Sequence, residues 1–231
     1  MYDVLAELPR PIAIAHRAAN DPVSLRAAEA IGADLVEADV WLHGGRLEVR
    51  HSKSLRPLPV LWDRWKLVPA WKPRLQLHEL LAELAPGTGI MLDLKGGERR
   101  LPDVLVETLR AGGLERPVLV CARNWRLMDA LDHREELTVM HSMGTTAQLR
   151  AHWDHLTSHE HHAVSIHRRL LTPDVVRALK QRSSTVVTWP INDERWLRKV
   201  LSWGVDGVTS DSLDLLRGIV RARGLTPGPA P

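Results

Sequence analysis

Carboxylates occur inside two short apolar runs of the sequence, where charged side chains are costly to place. Residues 35–40 include Glu37 and Asp39, and residues 90–94 include Asp93. Because side chains alternate between the two faces of a strand, Glu37 and Asp39 share one face. Neighbouring carboxylates in apolar surroundings repel each other unless a cation lies between them. Oxygen ligands of this kind suit a hard divalent cation, with Mg²⁺ or Ca²⁺ as the expected ions.

Basic and titratable side chains follow the same apolar runs. Lys95 shares a strand face with Asp93, His16 and Arg17 end the first run, and His51 follows the carboxylate-bearing one. Guanidinium and ammonium groups hold anions, and imidazoles exchange protons near neutral pH. With a cation held by the carboxylates, this set suits hydrolysis of a phosphodiester. Each residue alone could equally belong to an unrelated salt bridge, but the set together favours a catalytic site.

Eight short β-branched or apolar runs recur along the chain, and most are followed by an amphipathic helical pattern. The runs span residues 12–16, 35–40, 90–94, 118–122, 137–141, 163–167, 185–190 and 207–209. Clear helical patterns occupy residues 22–31, 125–131, 173–181, 194–203 and 213–221. Such repeats in 231 residues predict an α/β fold, a single (β/α)8 TIM barrel. The barrel is expected over residues 1–225, followed by a disordered tail at 226–231.

The segment between Trp41 and Gln76 does not follow the strand–helix alternation. Gly44-Gly45 predicts a hairpin turn, and the Pro- and Trp-rich stretch that follows predicts an ordered excursion over the barrel mouth. Within it, Trp62, Trp65 and Trp71 could contact an acyl chain or a membrane surface, since indole suits an apolar–polar boundary. A hydrophobic plug over the barrel is the alternative interpretation.

The composition excludes a collagen-like, a disordered and a disulfide-stapled chain. Hydrophobic residues make up 44% of the chain and charged residues 26%, which is ordinary globular usage. The net charge is +3, and the basic residues are scattered, so nucleic-acid binding is not expected. The single cysteine, Cys121, is expected to pack as a small hydrophobe. Neither a signal peptide nor a transmembrane segment is recognisable, which favours a soluble, cytoplasmic protein.

Several motifs, taken in their order along the chain, resemble those of the glycerophosphodiester phosphodiesterase family. They are His16-Arg17 with Asn20, Gly32-Ala33-Asp34, Glu37-Ala38-Asp39-Val40, His51, Asp93-Leu94-Lys95, Trp189-Pro190-Ile191-Asn192 and residues 204–211. The resemblance implies a TIM barrel and a metal-dependent hydrolase that converts glycerophosphodiesters to an alcohol and glycerol 3-phosphate.

The resemblance also implies roles for the site residues. His16 and His51 match the acid–base pair of the family, and Glu37 and Asp39 match its metal ligands. Asp93 stands where the family usually has a glutamate as third ligand, so its carboxylate is one methylene shorter. That difference affects the expected metal affinity and preference.

The substrate-binding residues implied by the resemblance are Arg17, Lys95 and Trp189. The two cationic side chains match the phosphate-binding groups, and the tryptophan matches an apolar wall against the substrate, with core packing as the alternative. Two further departures from the family pattern are Ala18 in place of a glycine and Ser52 in place of an aspartate.

These departures leave rival functions open. A phospholipase D-like enzyme acting on lysophospholipids or sphingolipids would fit the Trp-rich segment and the altered pocket. A degenerate barrel that binds anionic phosphodiesters or a partner without turnover would fit the changed residues. The expected partner is thus a small anionic phosphodiester or a lysolipid, and transient contact with a membrane surface is compatible with either.

The histidines of the second half are expected to divide into two groups. His141 and His167 end predicted strands and could reach the pocket. The histidine-rich run at residues 152–162 matches no zinc spacing and is expected to be a solvated surface on the far side of the barrel.

Overall fold

The structure is a computed structural model that describes residues 5–55, 58, 60–63, 66–69, 71–112, 118–132, 134 and 136–225. Its strands are β1 (Ile12–Ala15), β2 (Leu35–His43), β3 (Arg46–Val49), β4 (Lys53–Ser54), β5 (Val60–Asp63), β6 (Lys66–Pro69), β7 (Gly89–Lys95), β8 (Val118–Ala122), β9 (Leu137–Met143), β10 (His161–His167), β11 (Ser183–Trp189) and β12 (Gly207–Ser210). Its helices are α1 (Pro22–Ala30), α2 (Leu77–Glu83), α3 (Leu101–Ala111), α4 (Trp125–Asp129), α5 (Thr146–Ser158), α6 (Pro173–Lys180), α7 (Glu194–Ser202) and α8 (Leu213–Leu225).

Eight parallel strands close into a barrel. They run in the order β1, β2, β7, β8, β9, β10, β11 and β12, and β1 pairs with both β2 and β12. Helices lie between successive strands, which confirms the predicted TIM barrel. All eight apolar runs of the sequence are barrel strands. Among the described residues, no helix has both the length and the apolar character needed to cross a bilayer.

Strand alternation separates two apolar layers. Val36, Ala38 and Val40 of β2 belong to the large core between the barrel and its helices. Leu35 and Met91 belong to a smaller cluster inside the barrel. The side chains that alternate in step with these two therefore also face the barrel interior. The apolar cluster inside the barrel therefore lies beneath four polar side chains, those of Glu37, Asp39, Asp93 and Lys95.

The described residues of the segment between Trp41 and Gln76 include several strands. The expected hairpin joins β2 and β3, with Gly44 and Gly45 at φ 57° and 79°, values that favour glycine. Beyond it, β4, β5 and β6 form a small antiparallel sheet that the sequence analysis did not predict. The predicted tail at 226–231 and Trp65 lie outside the described residues.

His141 differs from its expected position. Its neighbours Met140 and Ser142 point inward, so His141 faces the outer layer and does not line the cavity. There its ring lies 4.4 Å from the ring of Trp125 and 5.3 Å from that of His161. The histidines of residues 152–162 are therefore not simply a solvated surface, since several of them pack around this buried imidazole.

Two kinds of ionisable group surround His141. His152 and His155 of α5 and His161 of β10 lower its pKa, and carboxylate oxygens of Asp129 and Asp132 lie within 4.8 Å of a ring nitrogen. Burial is the largest cause and lowers the pKa of His141 to about 4. The folded protein therefore holds this imidazole neutral in the weakly acidic range.

We expect His141 to make folding sensitive to acid. The unfolded imidazole takes up a proton near pH 6.5, whereas the folded one resists protonation down to about pH 4. Its contribution to stability is thus complete above pH 6.5 and lost as the pH falls toward 4. The loss should be on the order of 3 kcal/mol. Urea unfolding of the wild type and of His141→Gln across this range measures it, and parallel pH dependences in both proteins would contradict it.

Candidate active site

A cavity of about 380 Å³ opens at the carboxyl ends of the barrel strands. Side chains from strand ends and from the β2–β3 hairpin line it, and among them are most of the residues singled out from the sequence. These are His16, Arg17, Glu37, His51, Asp93 and Lys95. Trp189, at the end of β11, also lines it. The cavity thus gathers acidic, cationic and imidazole groups at the end of the barrel where sites of this fold occur.

Three carboxylates cluster at the cavity, where Glu37 and Asp93 line the wall and Asp39 lies beside them without lining it. Asp39 and Asp93 are direct partners in the pairing of β2 with β7, and Glu37 lies two residues earlier on β2. One oxygen from each of the three lies within 4.8 Å of the others. Only 2% of Glu37 and 1% of Asp39 are exposed. The barrel therefore holds three carboxylates together, two of them almost completely removed from water.

Lys95 is the ammonium group that faces this cluster. Its Nζ lies 2.7 Å from Asp39 Oδ1 and also contacts the Asp93 carboxylate. The other lone pairs are partly satisfied by hydrogen bonds. The Asn20 side chain donates to Asp39 Oδ2 at 2.8 Å, and the backbone N–H of Arg17 donates to Glu37 Oε2 at 2.6 Å. Arg17 Nε also lies 3.7 Å from Asp39 Oδ2, so two cationic side chains face three carboxylates and the cluster remains short of positive charge.

The pKa shifts divide the cluster into an ion pair and two strained carboxyls. Burial, then the charges of Asp39 and Asp93, raises the pKa of Glu37 well above its ordinary value. Burial also raises the pKa of Asp93 despite the nearby Lys95. Burial opposes ionisation of Asp39 too, but Lys95 and the hydrogen bond from Asn20 lower the pKa of Asp39. The pKa of Lys95 is raised in spite of burial, because Asp93, Asp39 and Glu37 surround it.

This donor set fits a divalent cation. All the grouped ligand atoms are carboxylate oxygens, which hard cations such as Mg²⁺ and Ca²⁺ prefer. The raised pKa values of Glu37 and Asp93 arise from burial and mutual repulsion, and a second positive charge would relieve both.

His16 is oriented at the seam where the barrel closes. His16 follows β1, and Asp211 follows β12. Ala15 of β1 pairs with Ser210 of β12, and this pairing brings the two residues together where the barrel closes. The Nδ1 atom of His16 lies 2.8 Å from Asp211 Oδ1, and its Nε2 lies 4.0 Å from Glu37 Oε2. The hydrogen bond with His16 lowers the pKa of Asp211 far below its ordinary value. The carboxylate thus fixes the ring orientation of His16 and leaves Nε2 toward the cavity.

Asn192 supports this pair from the neighbouring strand connection. Its amide donates to Asp211 Oδ2 at 3.0 Å, and its carbonyl oxygen accepts the backbone N–H of Asp211 at 2.9 Å. Both residues belong to sequence motifs that carried the family resemblance, but their role in orienting His16 was visible only in the structure.

Arg17 adopts a backbone conformation that is unusual for a residue with a side chain. Its φ is 57°, in the left-handed region, and its backbone N–H donates to Glu37. The Nε atom is buried without a hydrogen-bond partner, as are Trp41 Nε1 and Thr209 Oγ1. All three residues line the cavity. Buried polar groups are normally satisfied, so these point to a ligand that brings hydrogen-bonding oxygens.

The β2–β3 hairpin brings His51 to the cavity. After β3 the chain returns to the carboxylate strand, where the backbone N–H of Arg50 donates to the carbonyl oxygen of Asp39 at 2.9 Å. The Arg50 guanidinium also lies over the Trp41 ring, 4.8 Å from its centroid. These contacts hold the residue preceding His51 against β2, so that His51 and His16 line the same cavity.

Two further residues of the wall come from later strands. His167 ends β10 and packs edge-on against Trp189, with ring centroids 4.9 Å apart. Arg123 follows β8 and was missed in the sequence analysis. The available signal was its position, since it comes directly after an apolar strand run just as Arg17 does.

The chain is similar to known proteins in part of its sequence and in its fold. Residues 102–215 match the model of the Glycerophosphoryl diester phosphodiesterase family. The matched range lies after the carboxylate cluster and Lys95, so the assignment of those residues depends on geometry. No curated protein matches the chain.

Three solved structures share the fold. The chain is 21% identical, with a TM-score of 0.73, to an Oleispira antarctica phosphodiesterase in complex with the product sn-glycerol-3-phosphate, covering 94% of this chain and 99% of that one. Glycerophosphodiester phosphodiesterases from Parabacteroides distasonis and Thermotoga maritima give 19% and 18% identity and TM-scores of 0.71 and 0.70. The alignments cover 94% and 90% of this chain, and 100% and 98% of theirs.

The divided cluster predicts opposite effects of two neutralising substitutions. In the presence of a chelator, Glu37→Gln should raise the melting temperature by roughly 2–4 °C, because it removes a repelled charge and keeps the acceptor for Arg17. Asp39→Asn should lower it, because Lys95 loses a paired carboxylate. Differential scanning calorimetry measures both, and a shift of the same sign in the two variants would contradict the division.

Proposed function

We propose that this chain, which belongs to the glycerophosphoryl diester phosphodiesterase family, hydrolyses glycerophosphodiesters to an alcohol and glycerol 3-phosphate. The observation that supports this most directly is one cavity that combines a carboxylate cluster, cationic groups and two histidines. The Oleispira antarctica relative is described with sn-glycerol-3-phosphate as product, an anion of the kind that these cationic groups would bind.

In this proposal, Glu37, Asp39 and Asp93 would hold a divalent cation, with Mg²⁺ or Ca²⁺ as the expected ions. The bound ion would supply positive charge that stabilises the oxygens of the reacting phosphoryl group. Asn20 and the backbone of Arg17 orient two of these carboxylates by donating hydrogen bonds to them.

The cationic side chains then bind the phosphodiester. Arg17 offers a planar guanidinium whose Nε has no hydrogen-bond partner and lies 3.7 Å from Asp39 Oδ2, and Lys95 offers a second positive charge on the same wall. Arg123 is a third cation at the cavity and joins the proposed set. Trp189 forms an apolar wall beside them, against which the non-phosphate part of the substrate packs.

His16 and His51 exchange the protons of the reaction. One imidazole removes a proton from the attacking oxygen. Attack by water gives glycerol 3-phosphate directly, whereas attack by a substrate hydroxyl next to the phosphate gives a cyclic phosphodiester that water then opens to glycerol 3-phosphate. The other imidazole donates a proton to the leaving alcohol oxygen as its bond to phosphorus breaks. Asp211 holds His16 in one orientation through the 2.8 Å contact at Nδ1.

A second candidate is a lysolipid phosphodiesterase. Trp41, Met91 and Trp189 all line the cavity and give part of its wall an apolar character. A wall of this kind would also accept the start of an acyl chain. Assaying glycerophosphocholine and lysophosphatidylcholine side by side separates the two substrate classes.

Loss of either imidazole should reduce turnover strongly. We expect His16→Ala and His51→Ala each to lower kcat for glycerophosphocholine by roughly 10²–10⁴-fold, the usual contribution of a positioned acid or base. His78→Ala is the matched control, since His78 is exposed on α2, and it should retain activity. Choline release measures the rates. Near wild-type activity in both site variants would remove the histidines from the mechanism.

Chelation should abolish activity reversibly. After EDTA treatment and dialysis, adding back Mg²⁺, Ca²⁺ or Mn²⁺ should restore hydrolysis with at least one ion. Calorimetric titration of the same ions provides a readout without turnover, and Asp93→Asn should weaken binding because it removes a ligand charge. Full activity in the presence of EDTA, or unchanged affinity in Asp93→Asn, would reject the carboxylate cluster as a metal site.

A further inference from the structure

We propose that the small antiparallel sheet of β4, β5 and β6 is a docking surface for an anionic lipid bilayer. The proposal concerns where the protein works, and binding to lipid can be measured without turnover. It can therefore fail while the proposed hydrolysis stands, and the reverse also holds.

Apolar exposure is concentrated in this part of the molecule. Six large apolar side chains are exposed among the described residues, and five of them lie between residues 55 and 71. They are Leu55, Leu58, Trp62, Leu67 and Trp71, while the sixth is Val23 on α1. Apolar residues scattered singly over a surface are normal, but a concentration of this kind marks an interaction site.

The strand register places part of this set on one face. Trp62 is paired with Lys53 on one side and with Leu67 on the other, and directly paired residues share a face of the sheet. Leu61 alternates with Trp62 and is buried, so the opposite face packs inward. Trp62 is 40% exposed and Leu67 60% exposed on the outer face, and Trp71 just beyond β6 is 72% exposed.

The charge of the segment identifies the occupant. Residues 53–74 contain six Lys or Arg and one Asp, a formal charge of +5, whereas the whole chain carries +3. The remainder of the chain is therefore net negative. Aromatic and aliphatic side chains among basic residues suit the boundary between anionic headgroups and acyl chains. A second copy of this chain would instead place two positive segments against each other.

The docking surface is continuous with the cavity. Lys53 begins β4, is exposed beside Trp62 on the outer face and also lines the cavity that contains the carboxylate cluster. A bilayer seated on this face would therefore lie next to the cavity mouth. Phosphodiesters released at a lipid surface would then reach the site over a short distance.

Vesicle co-sedimentation of the full chain tests the proposal. We expect binding to phosphatidylcholine vesicles that contain phosphatidylglycerol, little binding to phosphatidylcholine alone, and weakening by salt. The double variant Leu67→Ser/Trp71→Ser should lower the partition coefficient about tenfold or more, since it removes inserted apolar area. Lys72→Glu should lower it comparably by reversing an exposed charge.

Matched controls use exposed residues outside the segment. Val23→Ser removes an equally exposed apolar side chain from α1, and Arg150→Glu reverses an exposed charge on α5. Both should bind vesicles as the wild type does. Circular dichroism checks that all variants are folded, and hydrolysis of soluble glycerophosphocholine by the Leu67/Trp71 variant should be unchanged.

Three outcomes would overturn the proposal. The first is absence of binding, or equal binding to neutral and anionic vesicles. The second is an equal loss of binding in the control variants. The third is a dimer of the wild type in sedimentation velocity that Leu67→Ser/Trp71→Ser converts to monomer, together with no vesicle binding, because the face would then join two copies of the chain.

Discussion

The site depends on the burial of three carboxylates around one lysine. Moving an ionised carboxylate out of water is costly unless positive charge or hydrogen bonds compensate it. Asp39 is compensated by Lys95 and Asn20, and its pKa is lowered, whereas Glu37 and Asp93 have raised pKa values. Electrostatic strain is thus concentrated on two of the three groups. The same strain would drive binding of the proposed cation, so stability without the ion and affinity for it would oppose each other.

Barrel closure assembles the remaining groups around this cluster. β1 pairs with β2 on one side and with β12 on the other, so the residues that follow β1 meet both neighbours. His16 lies near Glu37 of β2 and is hydrogen-bonded to Asp211 after β12. Arg17 then turns into a left-handed conformation that directs its N–H to Glu37. The three strands at the seam therefore build the histidine's surroundings as a consequence of the closed topology.

The features that could be predicted from the sequence are those that follow from strand periodicity and from the strand–helix repeat. Alternation was sufficient to place Glu37 with Asp39, and Asp93 with Lys95, on inward faces, and repeated strand–helix patterns predicted the barrel. Alternation does not say which of two faces is the inner one when both carry polar residues. This is why the sequence left His141 as a residue that could reach the pocket, whereas Ser142 is the residue that lines it. Which face of β9 points into the barrel depends on packing against α4 and α5, and periodicity carries no information about that packing.

The small sheet of β4, β5 and β6 was not predicted, for a different reason. Its strands are two to four residues long, and prolines lie between the first and the second, so the strands show too few alternations to be recognised. They are defined by pairing with each other, as in Trp62 with Lys53 and Leu67. Composition still carried information there, since the surplus of tryptophan in this segment was visible without any structure.

The carboxylate cluster and a basic segment lie close to each other at the barrel mouth. The clustered carboxylates are largely buried, where they would attract the proposed cation at short range. The positive surplus lies in residues 53–74, whose first member Lys53 lines the cavity. In the proposed function, an anionic phosphodiester approaching from solvent or from a bilayer would meet the exposed Lys53 and Lys72 of this segment, whose charges act over about 8–10 Å in physiological salt. Arg17 and Lys95 would then hold it, so the two positive regions would act one after the other along one entry path.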